Sequence, residues 1–125
     1  MAAAKPTVVL LTTHATLAAV YERHLEHLGM KVVTVRDIGD VERRAVKVRP
    51  ALLLLDESSV KDAAADIVCL RKQPVLNKTR LMILCRHATS EQIHALHSAG
   101  SDDIMLTSHH TPRDIASRVQ TILDL

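Results

Sequence analysis

The side chains most capable of chemistry stand just after predicted strands. They fall in four segments: Thr12-Thr13-His14, Asp56, Cys85-Arg86-His87 and Thr107-Ser108. A thiol in such a place could act as a nucleophile. In a parallel sheet, function gathers at the carboxyl ends of the strands, near the switch in strand order. We therefore expect these four segments to share one edge of the molecule.

A cysteine nucleophile is one chemistry that this edge would allow. His14, Asp56 and Cys85 would lie at the same end of the sheet. However, the chain matches no cysteine-enzyme signature, and a half-buried thiol would be inert. We accordingly predict that the chain is not an enzyme.

Histidine is abundant, with eight residues in a chain of 125. His24 and His27, like His94 and His97, stand three apart on predicted helices, and His109-His110 lies in a loop. Helical metal pairs more often use a four-residue step, and no carboxylate completes a ligand set. Histidines near helix ends also favour the helix dipole without any ligand role. We therefore predict no metal site from these residues.

Five short apolar runs alternate with five amphipathic stretches along the chain. The runs predicted as strands are 7–11, 31–35, 51–55, 80–85 and 103–106. Run 51–55 (ALLLL) is the most apolar and is placed at the centre of the sheet. Right-handed crossovers through the intervening helices require a parallel sheet with helices on both faces. The predicted fold class is α/β, a (βα)5 doubly wound parallel sheet in one domain over residues 1–125.

Apolar residues at three- and four-residue steps define the buried faces of the predicted helices. The first helix is predicted to bury Leu17, Val20, Tyr21, Leu25 and Leu28; the second, Val41, Ala45 and Val48; the third, over 60–72, Ile67, Val68 and Leu70; the last, Ile115, Val119, Ile122 and Leu123.

Capping residues mark where several helices begin. Either Asp37 or Asp40 could cap the second helix. Thr89 with Gln92 three residues later has the spacing of a capping box for the fourth. Thr111-Pro112 is typical of an N-cap followed by proline in the first turn of the fifth. Three helix starts can thus be placed from the sequence.

Composition excludes several classes of protein. The net charge is +2, and the charges of the predicted second helix (Arg43, Arg44 and Lys47 beside acidic residues) are typical of a solvated face. The one aromatic residue, Tyr21, provides no platform for stacking bases. No apolar stretch reaches the 18 or so residues of a membrane span. We expect no direct nucleic-acid binding and no membrane insertion, and two cysteines without metal spacing favour a cytoplasmic protein.

Two motifs resemble those of a known family. Residues 49–56 (RPALLLLD) are similar to the third strand of receiver domains in response regulators, which ends in the phosphoacceptor aspartate. Residues 100–104 (GSDDI) resemble the G-A-D-D-Y stretch that enters the family's fifth strand. The resemblance covers 7–124 and implies a CheY-like, flavodoxin-like fold with strand order 2-1-3-4-5. It also implies two-component or phosphorelay signalling, with Asp56 as the phosphoacceptor equivalent.

Five positions depart from the pattern that the resemblance implies. Thr12 and Thr13 stand where the family has two acidic residues that hold Mg²⁺. Cys85 replaces a threonine or serine that bonds the phosphoryl oxygen, Ile104 replaces an aromatic switch residue, and Thr107 replaces a lysine. Because Mg²⁺ normally needs one or two carboxylates in addition to phosphate and water, we expect Mg²⁺ binding to be weak or absent. The chain is therefore interpreted as a pseudo-receiver with no cofactor.

The predicted function is signalling by protein–protein interaction, independent of aspartyl phosphorylation. The partner would be another protein or an attached output domain, and a homodimer would also be compatible. The resemblance implies a candidate interaction face on the fourth helix, fifth strand and fifth helix, comprising Gln92, His97, Ile104, Leu106, Arg113 and Ser117. Two alternatives stay open: a response regulator that accepts phosphate on Asp56 in an atypical site, and a small-molecule binder at the switch point above Thr12, Asp56 and Cys85.

Overall fold

The computed structural model describes residues 5–123, so both ends of the predicted domain (1–4 and 124–125) lie outside the described residues. Strands and helices alternate, as predicted. The strands are β1 (Thr7–Leu11), β2 (Lys31–Val35), β3 (Leu52–Asp56), β4 (Arg80–Cys85) and β5 (Asp103–Leu106), and the helices are α1 (Ala15–His27), α2 (Ile38–Val48), α3 (Ala63–Arg71), α4 (Ser90–Ala99) and α5 (Pro112–Ile122). A 3-10 turn, Glu57–Ser59, follows β3.

All five strands are parallel, in the order β2-β1-β3-β4-β5. This confirms the predicted fold class and strand order. The central strand β3 is buried along its whole length. In the register, Leu11 pairs with Leu55, Asp56 with Leu84, and Cys85 with Leu106. The last residues of the inner strands therefore meet at one edge.

Two apolar cores cover the two faces of the sheet. The α1/α5 core contains Leu52 and Leu54 of β3, and the α2–α4 core contains Leu53 and Leu55. This alternation follows from the two-residue period of a strand. Burying each such leucine contributes about 1.5–3 kcal/mol relative to leaving it in water. The continuous leucine run of β3 thus anchors both helical layers at once.

Two predicted core residues are exposed instead. Val20 has 37% of its surface exposed and Val68 has 43%. In α1 the buried residues are Ala18, Tyr21 and Leu25, whose spacing turns Val20 away from the sheet. Val68 stands between the buried residues Ile67 and Leu70 on α3, and its side chain likewise points away from the core. In both cases apolar residues line more of the helix than the sheet can cover.

The boundaries of β3 and α3 also differ from the prediction. The strand runs one residue further than expected, to Asp56, and α3 begins at Ala63 instead of near residue 60. The reason is local: the 3-10 turn separates strand and helix, and the Asp62 side chain accepts a hydrogen bond from the Ala65 backbone N–H to cap α3. No helix within residues 5–123 is long and apolar enough to cross a membrane.

Helix capping follows the predicted residues. Between the two aspartates considered for α2, Asp37 is the N-cap, and its carboxylate accepts a hydrogen bond of 2.7 Å from the Asp40 backbone N–H. Thr89 forms a reciprocal capping box with Gln92, and Thr111 forms one with Asp114. Each such cap satisfies backbone donors that the helix leaves without a partner.

Candidate functional site

The carboxyl edge of the sheet brings Thr12, Asp56, Cys85 and Thr107 close together. Thr12 directly follows β1, and its backbone N–H donates to Val35 at the end of β2. Thr107 directly follows β5, and its backbone N–H donates to the Cys85 carbonyl at 2.7 Å. Backbone pairing therefore continues past the strand ends and holds these residues in place.

The Asp56 carboxylate is buried and surrounded by hydrogen-bond donors. Only 4% of the residue is exposed. Its Oδ2 accepts hydrogen bonds from the hydroxyls of Thr12 at 2.8 Å and Ser59 at 2.9 Å. Its Oδ1 accepts from Ser58, through the hydroxyl at 2.8 Å and the backbone N–H at 3.2 Å. All four donors are neutral.

A second set of hydrogen bonds holds these donors in position. The Thr13 backbone N–H donates to the Ser59 hydroxyl at 2.9 Å, and the His14 backbone N–H donates to the Thr12 hydroxyl at 3.1 Å. The His14 imidazole Nε2 lies 3.2 Å from the Ser58 hydroxyl and 4.0 Å from Asp56 Oδ2. The segment after β1 and the turn after β3 thus close over the carboxylate together.

Ser58 and Ser59 are contributors that the sequence reasoning did not identify as site residues. The sequence does contain a signal for this contact, because serines stand two and three residues after the aspartate. At that spacing, side chains readily form hydrogen bonds within a tight turn. The 3-10 turn Glu57–Ser59 places both hydroxyls on Asp56.

The residues present do not fit a magnesium ion. Mg²⁺ requires nearly octahedral oxygen ligands, with negative charge from one or two carboxylates plus phosphate. Each Asp56 oxygen already accepts two hydrogen bonds from the chain, and Thr12 and Thr13 bring no charge. Across the described part of the chain, no three His, Cys, Asp or Glu side chains come together to hold a metal ion.

Cys85 lies on the opposite face of the sheet from the Asp56 side chain. Its residue is 3% exposed and belongs to the α2–α4 core, where it lines a groove of about 190 Å³ with Glu57, Lys61 and Gln92. Burial raises the pKa of the thiol to about 11, and the charges of Glu57 and Asp56 raise it further. A protonated thiol lacks the activation that a Cys-His-Asp nucleophile would need, and the predicted partner His14 lies instead beside Ser58 and Asp56.

A larger cleft opens on the face of the sheet covered by α1 and α5. It has a volume of about 630 Å³ and contains the buried Tyr21 beside Asp56. The other lining residues are His14, Thr16, Leu17, Val20, Ser58, Leu84, Arg86, Thr107, His110 and Pro112. Burial raises the pKa of Tyr21 to about 12, with a smaller contribution from the negative charge of Asp56.

The two remaining departures from the family pattern lie on different faces of β5. Ile104 is half-buried and packs against the α2–α4 core. Thr107 is half-buried and lines the cleft beside Asp56. Neither side chain brings a positive charge to the carboxylate.

The six residues of the predicted interaction face are distributed over three places. Ile104 and Leu106 are half-buried against the α2–α4 core. Gln92 lines the groove beside Cys85, and His97 Nδ1 lies 3.2 Å from the Ser101 carbonyl oxygen. Arg113 and Ser117 line a groove between α5 and α1. The structure therefore does not gather all six around a single groove.

The fold is that of several solved response-regulator structures. No family model matches the sequence, and no curated protein matches it either. The chemotaxis protein CheY4 of Vibrio cholerae superposes with a TM-score of 0.84 at 16% identity, over 95% of this chain and 99% of that one.

Two further structures give the same result. An orphan response regulator of H. pylori gives 0.85 at 16% identity, over 98% of this chain and 99% of that one. The signal receiver domain of a histidine kinase from Syntrophus aciditrophicus gives 0.79 at 22% identity, over 95% and 90%. At such identities the comparison establishes the fold alone: this chain has the CheY-like receiver fold.

Proposed function

We propose that this chain is a signalling module that acts by binding a protein partner or an attached output domain, without phosphorylation of Asp56 and without catalysis of its own. One observation carries the proposal: both oxygens of the Asp56 carboxylate are already bound by neutral donors of the same chain. A cytoplasmic location and a role in two-component signalling belong to the same proposal, on the strength of the receiver fold.

Phosphoryl transfer to Asp56 would need positive charge that this edge does not provide. Such transfer depends mainly on positioning and on neutralising the charge of the phosphoryl group. Thr12 and Thr13 supply no carboxylate for a metal ion, and Thr107 supplies no ammonium group. Each absent charge-assisted contact is worth about 1.5–3 kcal/mol. Losing several together would slow transfer by orders of magnitude.

The phosphorylation-driven switch implied by the resemblance also lacks its parts. Such a switch needs a group that makes different contacts in two states. Cys85 is packed in the α2–α4 core as a neutral thiol, which is a weak donor. Ile104 packs against the same core and carries no polar end to exchange between two sites. Recognition of a partner by a surface that is already formed is the mode of action consistent with these residues.

The test is to incubate the chain with acetyl phosphate and Mg²⁺ and to measure its intact mass. We expect no phosphoryl adduct, and a saturable adduct on Asp56 would overturn the proposal. A matched variant carries Thr12→Asp, Thr13→Asp and Thr107→Lys together. It should gain Mg²⁺-dependent modification, because these changes restore a metal site and a cation beside the same aspartate.

Small-molecule binding is a second candidate function, favoured by the cleft beside Asp56. Its volume of about 630 Å³ lies in the range of ligand pockets, about 300–1,000 Å³. Leu17, Val20 and Leu84 line it together with polar groups. Tyr21 is the one aromatic residue of the chain, so its fluorescence reports on this cleft alone. A bound ligand should change that emission and raise the melting temperature.

A further inference from the structure

The groove between α1 and α5 carries a concentration of positive charge. It has a volume of about 480 Å³ and is lined by Arg23, His24, His27, Leu28, Arg113, Ala116 and Ser117. Four of these seven side chains can carry a positive charge, and no carboxylate occurs among the described residues that line it. We call this surface the α1–α5 groove.

The carboxylates of the same two helices are engaged elsewhere. Glu22 accepts a hydrogen bond of 2.6 Å from the Thr34 hydroxyl on β2. Glu26 lines a different surface depression, together with Lys31. Asp114 accepts from the Thr111 backbone N–H in the capping box of α5. The acidic side chains of α1 therefore lie on its β2 side, and its basic side chains lie on its α5 side.

The two arginines of the groove form no salt bridge within residues 5–123, which is also true of Arg36, Arg44, Arg49 and Arg86. In residues 5–123, the salt bridges of arginine involve Arg43, Arg71, Arg80 and Arg118. Neither Arg23 nor Arg113 takes part in one of them. The pKa of Asp114 is lowered mainly by its hydrogen bonds with Thr111 and to a smaller extent by the charge of the neighbouring Arg113, so that charge is partly offset. Both groove arginines are exposed and outside these salt bridges, and they are therefore accessible to an acidic partner.

An apolar strip runs beside these cations. Ala116 is buried and Leu28 half-buried in the groove. Along α1 towards its N-terminus, Val20 is 37% exposed and Leu17 half-buried, and both line the cleft beside Asp56. Apolar residues flanked by charges of one sign suit an amphipathic helix of the opposite sign better than a bare polyanion.

We propose that the α1–α5 groove binds an acidic amphipathic helix of a protein partner. Apolar residues of that helix would cover Val20 and Leu28, and its carboxylates would meet Arg23 and Arg113. This inference rests on the proposed function, because it names the surface and the chemistry by which the partner is recognised. It also accounts for His24 and His27, whose spacing on α1 did not suit a metal site.

The test is a selection from a displayed library of helical peptides with randomised surface positions, using the intact chain as bait. Enriched peptides should be acidic, with apolar residues at three- and four-residue steps. The Arg23→Glu/Arg113→Glu variant should weaken their binding at least tenfold, and Val20→Ser about threefold. Binding should also weaken as ionic strength rises. All three residues are exposed, so the variants should keep the fold.

Matched controls lie on α2, away from the groove. Arg44 and Val46 are exposed there, with Val46 67% exposed. Arg44→Glu and Val46→Ser should leave peptide binding within twofold of the unaltered chain. Equal weakening by the α2 variants would show that net charge, not the groove, determines binding, and would overturn the inference.

Three other results would also overturn the inference. They are that no peptide is enriched, that the enriched peptides are neutral or basic, or that their binding is unchanged in the Arg23→Glu/Arg113→Glu variant. Tighter binding to phosphatidylserine vesicles or to duplex DNA than to the enriched peptides would assign the groove to another class of partner. None of these results bears on Asp56. A phosphoryl adduct on Asp56 would reject the proposed function and leave the peptide result intact, so the two failures are distinguishable.

Discussion

A charged side chain lies at each of the two edges of the sheet, and the two side chains differ in whether they are paired with an opposite charge. At the amino edge, Arg71 of α3 donates hydrogen bonds to the carbonyl oxygens of Gly100, Leu76 and Thr79 and to the carboxylate of Asp102, with 2.9 Å between Nη2 and Oδ2. This cluster ties the end of α3 to the starts of β4 and β5. At that edge a charge is paired with its opposite and holds three elements together.

At the carboxyl edge, Asp56 is the more deeply buried of the two charged groups but has no such pairing. Its bonded partners are hydroxyls and one backbone N–H. The cation-capable group within salt-bridge range in the described chain is His14, at 4.0 Å, and its side chain is mostly exposed. Ion pairing thus occurs where it stabilises the fold and is missing where phosphoryl chemistry would need it.

The largest effect that tests this comparison should come from Arg71→Ala. The change would leave three carbonyl oxygens without their side-chain donor and Asp102 with the Leu81 backbone N–H but no arginine donor, which should lower the free energy of unfolding by about 2–4 kcal/mol. Urea denaturation measures this directly. Arg118→Ala is the matched control, because Arg118 is half-exposed and pairs with Asp103 at the surface. It should cost less than about 1 kcal/mol. If both variants lowered the free energy of unfolding by similar amounts, the charge pair at the amino edge would stabilise the fold no more than a surface pair does, and the contrast between the two edges would fail.

The second-largest effect should be a difference in reactivity between the two cysteines. Cys69 is exposed and Cys85 is buried. With its pKa raised to about 11, Cys85 would be about one-thousandth thiolate at pH 8. Iodoacetamide should therefore alkylate Cys69 at least about 100-fold faster, measured by mass spectrometry, with Cys69→Ser isolating the slow reaction. Comparable rates would mean that the carboxyl edge opens in solution.

The same shift predicts how stability depends on alkaline pH. The Cys85 thiol has a higher pKa in the folded chain than its ordinary value of 9.0. Folding therefore favours the neutral form, and this contribution is complete below pH 9 and is lost as the pH rises through 11. Tyr21 acts in the same direction between pH 10 and 12.

The smallest effect should come from Thr12→Val. Thr12 is 2% exposed, and its hydroxyl donates to Asp56 and accepts from the His14 backbone N–H. Removing it should cost about 1–2 kcal/mol, because a buried carboxylate loses one of its donors. Thr13→Val is the control: Thr13 is exposed, and the change should cost below about 0.5 kcal/mol. Equal costs in urea denaturation would show that the Thr12–Asp56 bond contributes little.

Much of the fold could be predicted from local patterns. The leucine run of β3 and the strand and capping signals around it identified the sheet, its central strand and three helix starts. The residues GSDDI were identified by resemblance alone, and the structure gives a physical reason for part of the motif. Gly100 has φ of +126° where its carbonyl meets Arg71, and Asp102 accepts from both Arg71 and the Leu81 backbone N–H.

What the sequence could not supply were contacts made by side chains that are distant along the chain. Arg71 reaches Asp102 across 31 positions, and Thr12 reaches Asp56 across 44. The sequence placed Thr12 and Asp56 at one edge, but the hydroxyl contacts of Ser58 and Ser59 depend on the 3-10 turn, which was not foreseen. Helical periodicity alone likewise could not show that Val20 lies on the exposed side of α1 beside the Asp56 cleft, because that depends on how α1 packs against its neighbours.

The most direct test of the central claim is an NMR titration of the isotope-labelled chain with Mg²⁺ and beryllofluoride, which mimics a bound phosphoryl group. The backbone N–H of Ser58 donates to the Asp56 carboxylate, so its resonance reports whether that carboxylate changes partners. The account predicts that the resonances of Thr13, His14 and Ser58 stay unchanged throughout the titration. Saturable shifts centred on these residues would contradict it, because they would show that metal and phosphoryl ligands displace the hydroxyls from Asp56.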